Sequence, residues 1–129
     1  MPLKIQIEKN PDPQRAGVVT IKLIGSLDTA TAPELERELT ACLAGPVNDL
    51  VFDLAGLKFV SSAGLRLFSV ARKQIVARGG GRASFINVQP QVEEVMAIIE
   101  SLPGFALFKD LAALDRYLDS RRSSSTGRP

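Results

Sequence analysis

Short apolar runs of roughly five residues alternate along this chain with longer stretches in which apolar side chains recur every third or fourth position. Glycine or proline stands at most of the changeovers. This alternation constrains the fold more than any other feature, because strands and helices bury side chains at different periods. Leu3, Ile5 and Ile7 alternate with Lys4, Gln6 and Glu8, as in a strand with one buried face. Asn10-Pro11-Asp12-Pro13 ends it, since proline cannot continue a hydrogen-bonded ladder. Val18, Val19, Ile21, Leu23 and Ile24 predict a second strand, ending at Gly25 and pairing antiparallel with the first. Thr31-x-x-Glu34, with Pro33 between, reads as a capping box opening a helix with the stripe Leu35, Leu39, Cys42 and Leu43. Gly45-Pro46 stops that helix. Leu50, Val51, Phe52 and Leu54 around Asp53 then form a nearly continuous apolar run, the pattern of a strand covered on both faces.

From Ser62 to Arg78 the spacing of Leu65, Phe68, Ala71 and Ile75 predicts a second helix, closed by Gly79-Gly80-Gly81. Ala83 to Val88 is a further strand. Pro90 opens a helix with Val92, Val95, Met96, Ile99 and Leu102 inward, ended by Pro103-Gly104. Ala106 to Phe108 predicts a last short strand, and Asp110 caps a helix with Leu111, Leu114, Tyr117 and Leu118 inward. Ser120 to Pro129 carries no apolar side chain able to build a core and reads as a disordered polar tail. The expected architecture is a single α/β domain over residues 1–119, with a mixed, mostly parallel sheet of about four to five strands and about four helices.

Charge and composition narrow the function. Sixteen Lys and Arg face fourteen Asp and Glu, a formal charge of +2. Arg121, Arg122 and Arg128 lie in the tail, so thirteen basic residues face fourteen acidic ones in the rest of the chain. A nucleic-acid binder concentrates basic charge on its folded face, so no direct nucleic-acid partner is expected. The chain has no histidine, which removes His general-base chemistry, Ser-His-Asp triads and His-ligated metals. Gly79-Gly80-Gly81 lacks the following Gly-Lys-Ser/Thr of a phosphate loop. No cofactor, metal or catalytic residue is expected. The lone Cys42 allows no internal disulfide and suits a reducing compartment. No signal-like or membrane-length apolar segment appears, so a cytoplasmic protein with no membrane partner is expected.

Phe59-Val60-Ser61-Ser62-Ala63-Gly64-Leu65 is the most unusual segment, with two hydroxyls where a helix begins. Serine there is first a helix cap, a role worth about 1 kcal/mol. Neither serine, however, has Glu or Gln three residues on to complete a capping box. Gly64 in the first turn costs up to ~1 kcal/mol of helix propensity and hints at a close approach to the backbone. The start of a helix also tolerates phosphate, through its free N–H groups and the positive end of its dipole. Phosphorylation would add roughly −1.5 to −2 charge, felt mainly by a partner docked on that surface.

The stretch Leu50-Val51-Phe52-Asp53-Leu54-Ala55-Gly56-Leu57-Lys58-Phe59-Val60-Ser61-Ser62-Ala63-Gly64-Leu65 resembles the signature of STAS-domain anti-sigma factor antagonists. Gly25-Ser26-Leu27-Asp28, followed by a helix rich in Ala, Pro, Glu and Leu, resembles a second landmark of that family. The likeness covers about residues 3–118. It implies a protein that binds an anti-sigma factor with serine-kinase activity, is phosphorylated by it and released, and is reset by a PP2C-type phosphatase. The acceptor position falls on Ser62. Asp28 matches the aspartate near the acceptor, and Asp53 the one closing the third strand. Ser61 stands where the family often has Asp, which leaves an adjacent hydroxyl as a second candidate acceptor. The likeness implies a partner surface from Leu27, Asp28, Thr29, Val60, Ser61, Gly64, Leu65, Arg66 and Ser69, with Leu27, Val60 and Leu65 supplying apolar contact. Arg66, Ser69 and Lys73 would share one exposed helix face, which is otherwise simply a solvated one. By themselves, Asp28 and Asp53 read first as structural side chains bonding nearby backbone.

A second reading is an accessory STAS subunit of a lipid-transport ATP-binding-cassette complex, using the same surface for permanent assembly. A hydrolase is the third. Ser62 has no Gly-x-Ser-x-Gly elbow, and lysine-assisted chemistry would need Lys58 buried beside it.

Overall fold

The computed structural model describes residues 2–15, 17–78, 81–100 and 105–108. Strands β1 (Leu3–Lys9) and β2 (Val18–Leu27) lead into helix α1 (Ala32–Leu43). Strand β3 (Asp49–Val60), helix α2 (Ser62–Val76), strand β4 (Arg82–Ile86), helix α3 (Pro90–Glu100) and strand β5 (Phe105–Phe108) follow. The five strands form one sheet in sequence order, with β1 antiparallel to β2 and every later neighbour parallel. This is the mixed, mostly parallel α/β sheet expected from the alternation of strands and helices. The fourth helix from Asp110 and the tail lie outside the described residues.

One face of the sheet carries the main core. Ile21, Leu23 and Leu27 of β2 and Phe52, Leu54, Leu57 and Val60 of β3 meet Leu35 and Leu39 of α1 and Phe68, Ala71 and Ile75 of α2. Phe52, Phe68 and Phe85 pack as a triangle with ring centroids 4.9, 5.2 and 5.1 Å apart, tying α2 to β3 and β4. Such ring pairs contribute roughly 0.5–1.5 kcal/mol each beyond their burial. Val51, Ser84 and Ile86 alternate away from these residues and are buried too, so the centre of the sheet is covered on both faces. That agrees with the nearly continuous apolar run from Leu50 to Leu54 around Asp53.

The fourth strand stops at Ile86, short of the expected Val88, and two strand ends near the helix starts differ more. The second strand passes through Gly25 to Leu27, and the third runs on past Leu54 to Val60. Gly25 sits at φ +110°, a left-handed conformation that costs glycine nothing, and a Cβ there would strike the carbonyl oxygen of Pro2. The β2–β3 register slips twice, so that Lys22 faces Asp53, Ile24 faces Gly56, and Ser26 faces Phe59. Each slip inserts one extra residue in β3. Inward side chains therefore fall at 52, 54, 57 and 60 rather than at every second position. The two long strands deliver Leu27 and Val60 side by side at the sheet's end, immediately before α1 and α2.

Candidate functional site

The site is built on the paired ends of β2 and β3. The Ser61 N–H donates to the Leu27 carbonyl oxygen at 2.9 Å, fixing the entry to α2 against the exit from β2. Ser61 is the cap of α2: its backbone is extended (φ −92°, ψ 174°) and its Oγ accepts the Gly64 N–H at 3.3 Å. Its carbonyl oxygen accepts the Leu65 N–H at 3.0 Å. Ser62 is the first residue of the helix and is exposed, and its side chain makes no hydrogen bond with the described residues. The two adjacent hydroxyls thus divide the roles that the sequence left open. One closes the helix and the other faces solvent.

Gly64 is buried, and the close approach it permits comes from within the chain. A Cβ there would lie 2.7 Å from Leu27 Cγ and Cδ2 and 2.8 Å from Val60 Cγ2. Leu27 (0% exposed), Val60 (3%) and Gly64 therefore form the seat of the helix and offer no surface to a partner, contrary to the expectation for these three. Pairing with β3 brings Leu27 under the helix start, where a loop position would have left it exposed. Leu65 and Ser69 are half-buried, while Thr29, Arg66 and Lys73 are exposed. Phe59, 52% exposed on the sheet face opposite Val60, is the large apolar surface residue that sequence reasoning passed over. Its position one before an inward residue of a strand was the available signal.

The start of α1 is organised differently. Asp28 Oδ1 accepts the N–H groups of Ala30 at 2.9 Å and Thr31 at 3.0 Å, and lies 3.1 Å from Thr31 Oγ1. In return the Asp28 N–H donates to Thr31 Oγ1 at 2.9 Å, and that hydroxyl lies 2.9 Å from the Ser26 carbonyl oxygen it donates to. The expected box between Thr31 and Glu34 does not form, because Thr31 turns its hydroxyl back onto the preceding turn and makes no side-chain cap bond. A reciprocal pair one turn earlier, Asp28 with Thr31, replaces it. The Thr31 backbone N–H is the main influence holding the Asp28 carboxyl below its ordinary pKa, so the side chain is an anion at neutral pH.

Asp53 lies mid-strand, accepting from the Ala55 N–H at 3.1 Å and Asn87 Nδ2 at 3.2 Å, which ties β3 to the loop after β4. It does not close its strand, which extends seven positions further by the observed bounds. Lys58 is exposed, so the buried lysine that serine chemistry would need is not there. Burial raises the pKa of the Cys42 thiol. Among the described residues no three His, Cys, Asp or Glu side chains cluster as metal ligands, and no helix is long and apolar enough to cross a membrane.

Similarity to known proteins follows the same outline. The candidate anti-sigma factor antagonist BtrV of Bordetella bronchiseptica is 34% identical over 82 residues, covering 64% of this chain and 70% of that protein. An anti-sigma factor antagonist from Mycobacterium paratuberculosis shares the fold with a TM-score of 0.75 at 22% identity, over 93% of this chain and 94% of that one. The unphosphorylated form of the anti-sigma factor antagonist SpoIIAA gives 0.72 at 22% identity, over 90% and 97%. Its phosphorylated form, described as a Bacillus cell fate determinant, gives 0.66 over 88% and 99%, also at 22% identity. The family model of the STAS domain matches residues 5–114, from β1 to beyond β5, and this chain belongs to the STAS domain family.

Proposed function

We propose that this chain is an anti-sigma factor antagonist whose binding is governed by phosphorylation of Ser62. Unmodified, it docks on an anti-sigma factor with serine-kinase activity and so frees a sigma factor for transcription. Phosphorylated, it is released, and a PP2C-type phosphatase restores it. The protein is then a substrate and binding module of the cytoplasm, not itself an enzyme. The names of its relatives supply the class of partner.

One observation carries this reading. The Ser62 hydroxyl is exposed on the first turn of α2 while Ser61 does the capping. A kinase can reach Ser62 without unmaking the helix. Phosphate on Ser61 would instead sacrifice the bond to Gly64. At Ser62 the new charge sits near the positive end of the helix dipole, with Arg66 one turn along the same face, so it is tolerated by its own molecule. A partner covering Thr29, Ser62, Arg66 and the open side of Ser69 must bury that anion beside the ionised Asp28. An unpaired charge in a desolvated interface costs several kcal/mol, and each 1.4 kcal/mol is tenfold in affinity.

The test is intact-mass spectrometry of the chain incubated with its anti-sigma kinase, ATP and Mg²⁺, followed by site mapping. One phosphoryl group on Ser62 is expected. Ser62→Ala should remain bound in ATP, and Ser62→Asp should bind at least ~100-fold more weakly than wild type. Equal affinity of Ser62→Asp and wild type would refute the charge mechanism.

A further inference from the structure

Among the described residues strand β1 pairs with β2 alone, so its other edge presents backbone groups that no described strand pairs. Which residues present them follows from one bond. The Asn10 N–H donates to the Val18 carbonyl oxygen at 3.1 Å, which makes that pair, next after Lys9 and Val19, a hydrogen-bonded one. Antiparallel ladders alternate, so Lys4, Gln6 and Glu8 spend their backbone groups on β2. Leu3, Ile5, Ile7 and Lys9 point theirs outward.

We propose that this edge binds a second copy of the same chain, β1 pairing antiparallel with β1 about a two-fold axis at Gln6. In that register Ile5 meets Ile7 of the second copy and Leu3 meets its Lys9, all through outward-facing backbone groups. Lys4 meets Glu8 of the second copy twice over, at the close, non-hydrogen-bonded positions where cross-strand side chains interact best. Lys4 and Glu8 are both exposed, Lys4 makes no ion pair among the described residues, and Glu8 lies 3.2 Å from Lys22 within its own sheet. The second copy's Lys4 would add to that cluster without displacing it.

The helix side of the edge fits the same occupant. Leu3 and Ile5 line an open groove together with Glu34, Arg37 and Glu38 of α1. The register brings Ile7 of the second copy, an exposed isoleucine, onto Ile5, and its exposed Lys9 to Leu3 beside the two glutamates. Lysines on an edge strand often serve only to repel other strands. Repulsion alone does not require an acid at the position Lys4 meets under two-fold symmetry, and here Glu8 stands there. An interface of this kind is isologous and closes at two copies.

Sedimentation equilibrium of the full chain over a concentration series tests the pairing, and its readout is independent of Ser62. The average mass should rise from monomer towards dimer. Lys4→Glu should weaken association about tenfold or more, since both symmetry-related pairs change from attraction to repulsion. The double substitution Lys4→Glu with Glu8→Lys should restore it. Ile7→Pro removes an outward N–H and the side chain that meets Ile5 of the second copy, but no bond to β2, so it should abolish association while the circular dichroism spectrum stays that of the wild type. A wild-type chain that remains monomeric throughout, or a Lys4→Glu chain that associates as well as wild type, overturns the proposal.

Discussion

The two helix starts lie next to one another at the same end of the sheet, yet they use their polar side chains in opposite ways. At α1 the groups are mutually occupied. Asp28 and Thr31 take two backbone N–H groups, exchange a bond and reach back to Ser26. At α2 one serine makes a single 3.3 Å bond and the next makes none with the described residues. Buried polar groups are normally satisfied by the protein, whereas the exposed Ser62 hydroxyl is left to solvent, so the fold makes no demand on it. The contrast also separates rigidity from exposure. The first turn of α2 is held from beneath, by Leu27 and Val60 against Gly64, and so its outer face is left free.

The largest effect should come from disturbing that seat. Gly64→Ala places a methyl group 2.7–2.8 Å from Leu27 and Val60 carbons, well inside van der Waals contact. Overpacking of this kind costs about 1–3 kcal/mol. Urea unfolding should show that loss, and adding Leu27→Ala should cost less than the sum of the two single changes because the residues share the contact. Strict additivity would mean that the helix start shifts away from Leu27 rather than pressing on it. No change in stability at all would mean that Gly64 is not the seat.

The caps provide the next comparison. Ser61→Ala should destabilise by about 1 kcal/mol, as for an ordinary serine cap. Ser62→Ala should stay within roughly 0.5 kcal/mol of wild type, as for an exposed side chain without partners. Asp28→Ala should exceed Ser61→Ala, since it releases two backbone N–H groups where the serine releases one. Thermal unfolding of the three variants ranks them directly. If Ser62→Ala proved as costly as Ser61→Ala, the division of labour between the two hydroxyls would be wrong.

The elements with clean periods were legible in the sequence. The alternation of β1, the stripe of α1 and the steps of α2 mark their own buried faces, and the glycine and proline punctuation lies close to the helix ends. The second half of β3 was hidden because two bulges space Leu54, Leu57 and Val60 at intervals of three, which imitates a helix or loop. The cost of that concealment fell on the site. With β3 thought to end early, Leu27 and Val60 looked like loop residues available to a partner, whereas pairing between β2 and β3 buries them. The capping box at Thr31 failed for a related reason. A local motif predicts which atoms can bond, but Asp28 one turn earlier offers an ionised acceptor to the Thr31 N–H that Glu34 would have taken.

That ionised acceptor makes the first helix start sensitive to acid in a way the second is not. The Asp28 carboxyl has a lower pKa in the folded chain than in the unfolded one, chiefly because the Thr31 N–H donates to it. The unfolded state therefore binds the proton more readily at mildly acidic pH. The contribution is complete above the ordinary carboxylate range and fades as pH falls through the lowered folded value. Ser61, which does not titrate, imposes no such dependence on α2. Asp28→Asn keeps an acceptor oxygen but removes the titration. Its stability, measured by urea unfolding from neutral pH down into the acid range, should start below wild type and converge on it as the wild-type carboxyl is protonated. A constant gap between the two curves would show that Asp28 acts by its shape and hydrogen-bonding capacity alone, and that its charge contributes nothing to holding the first turn.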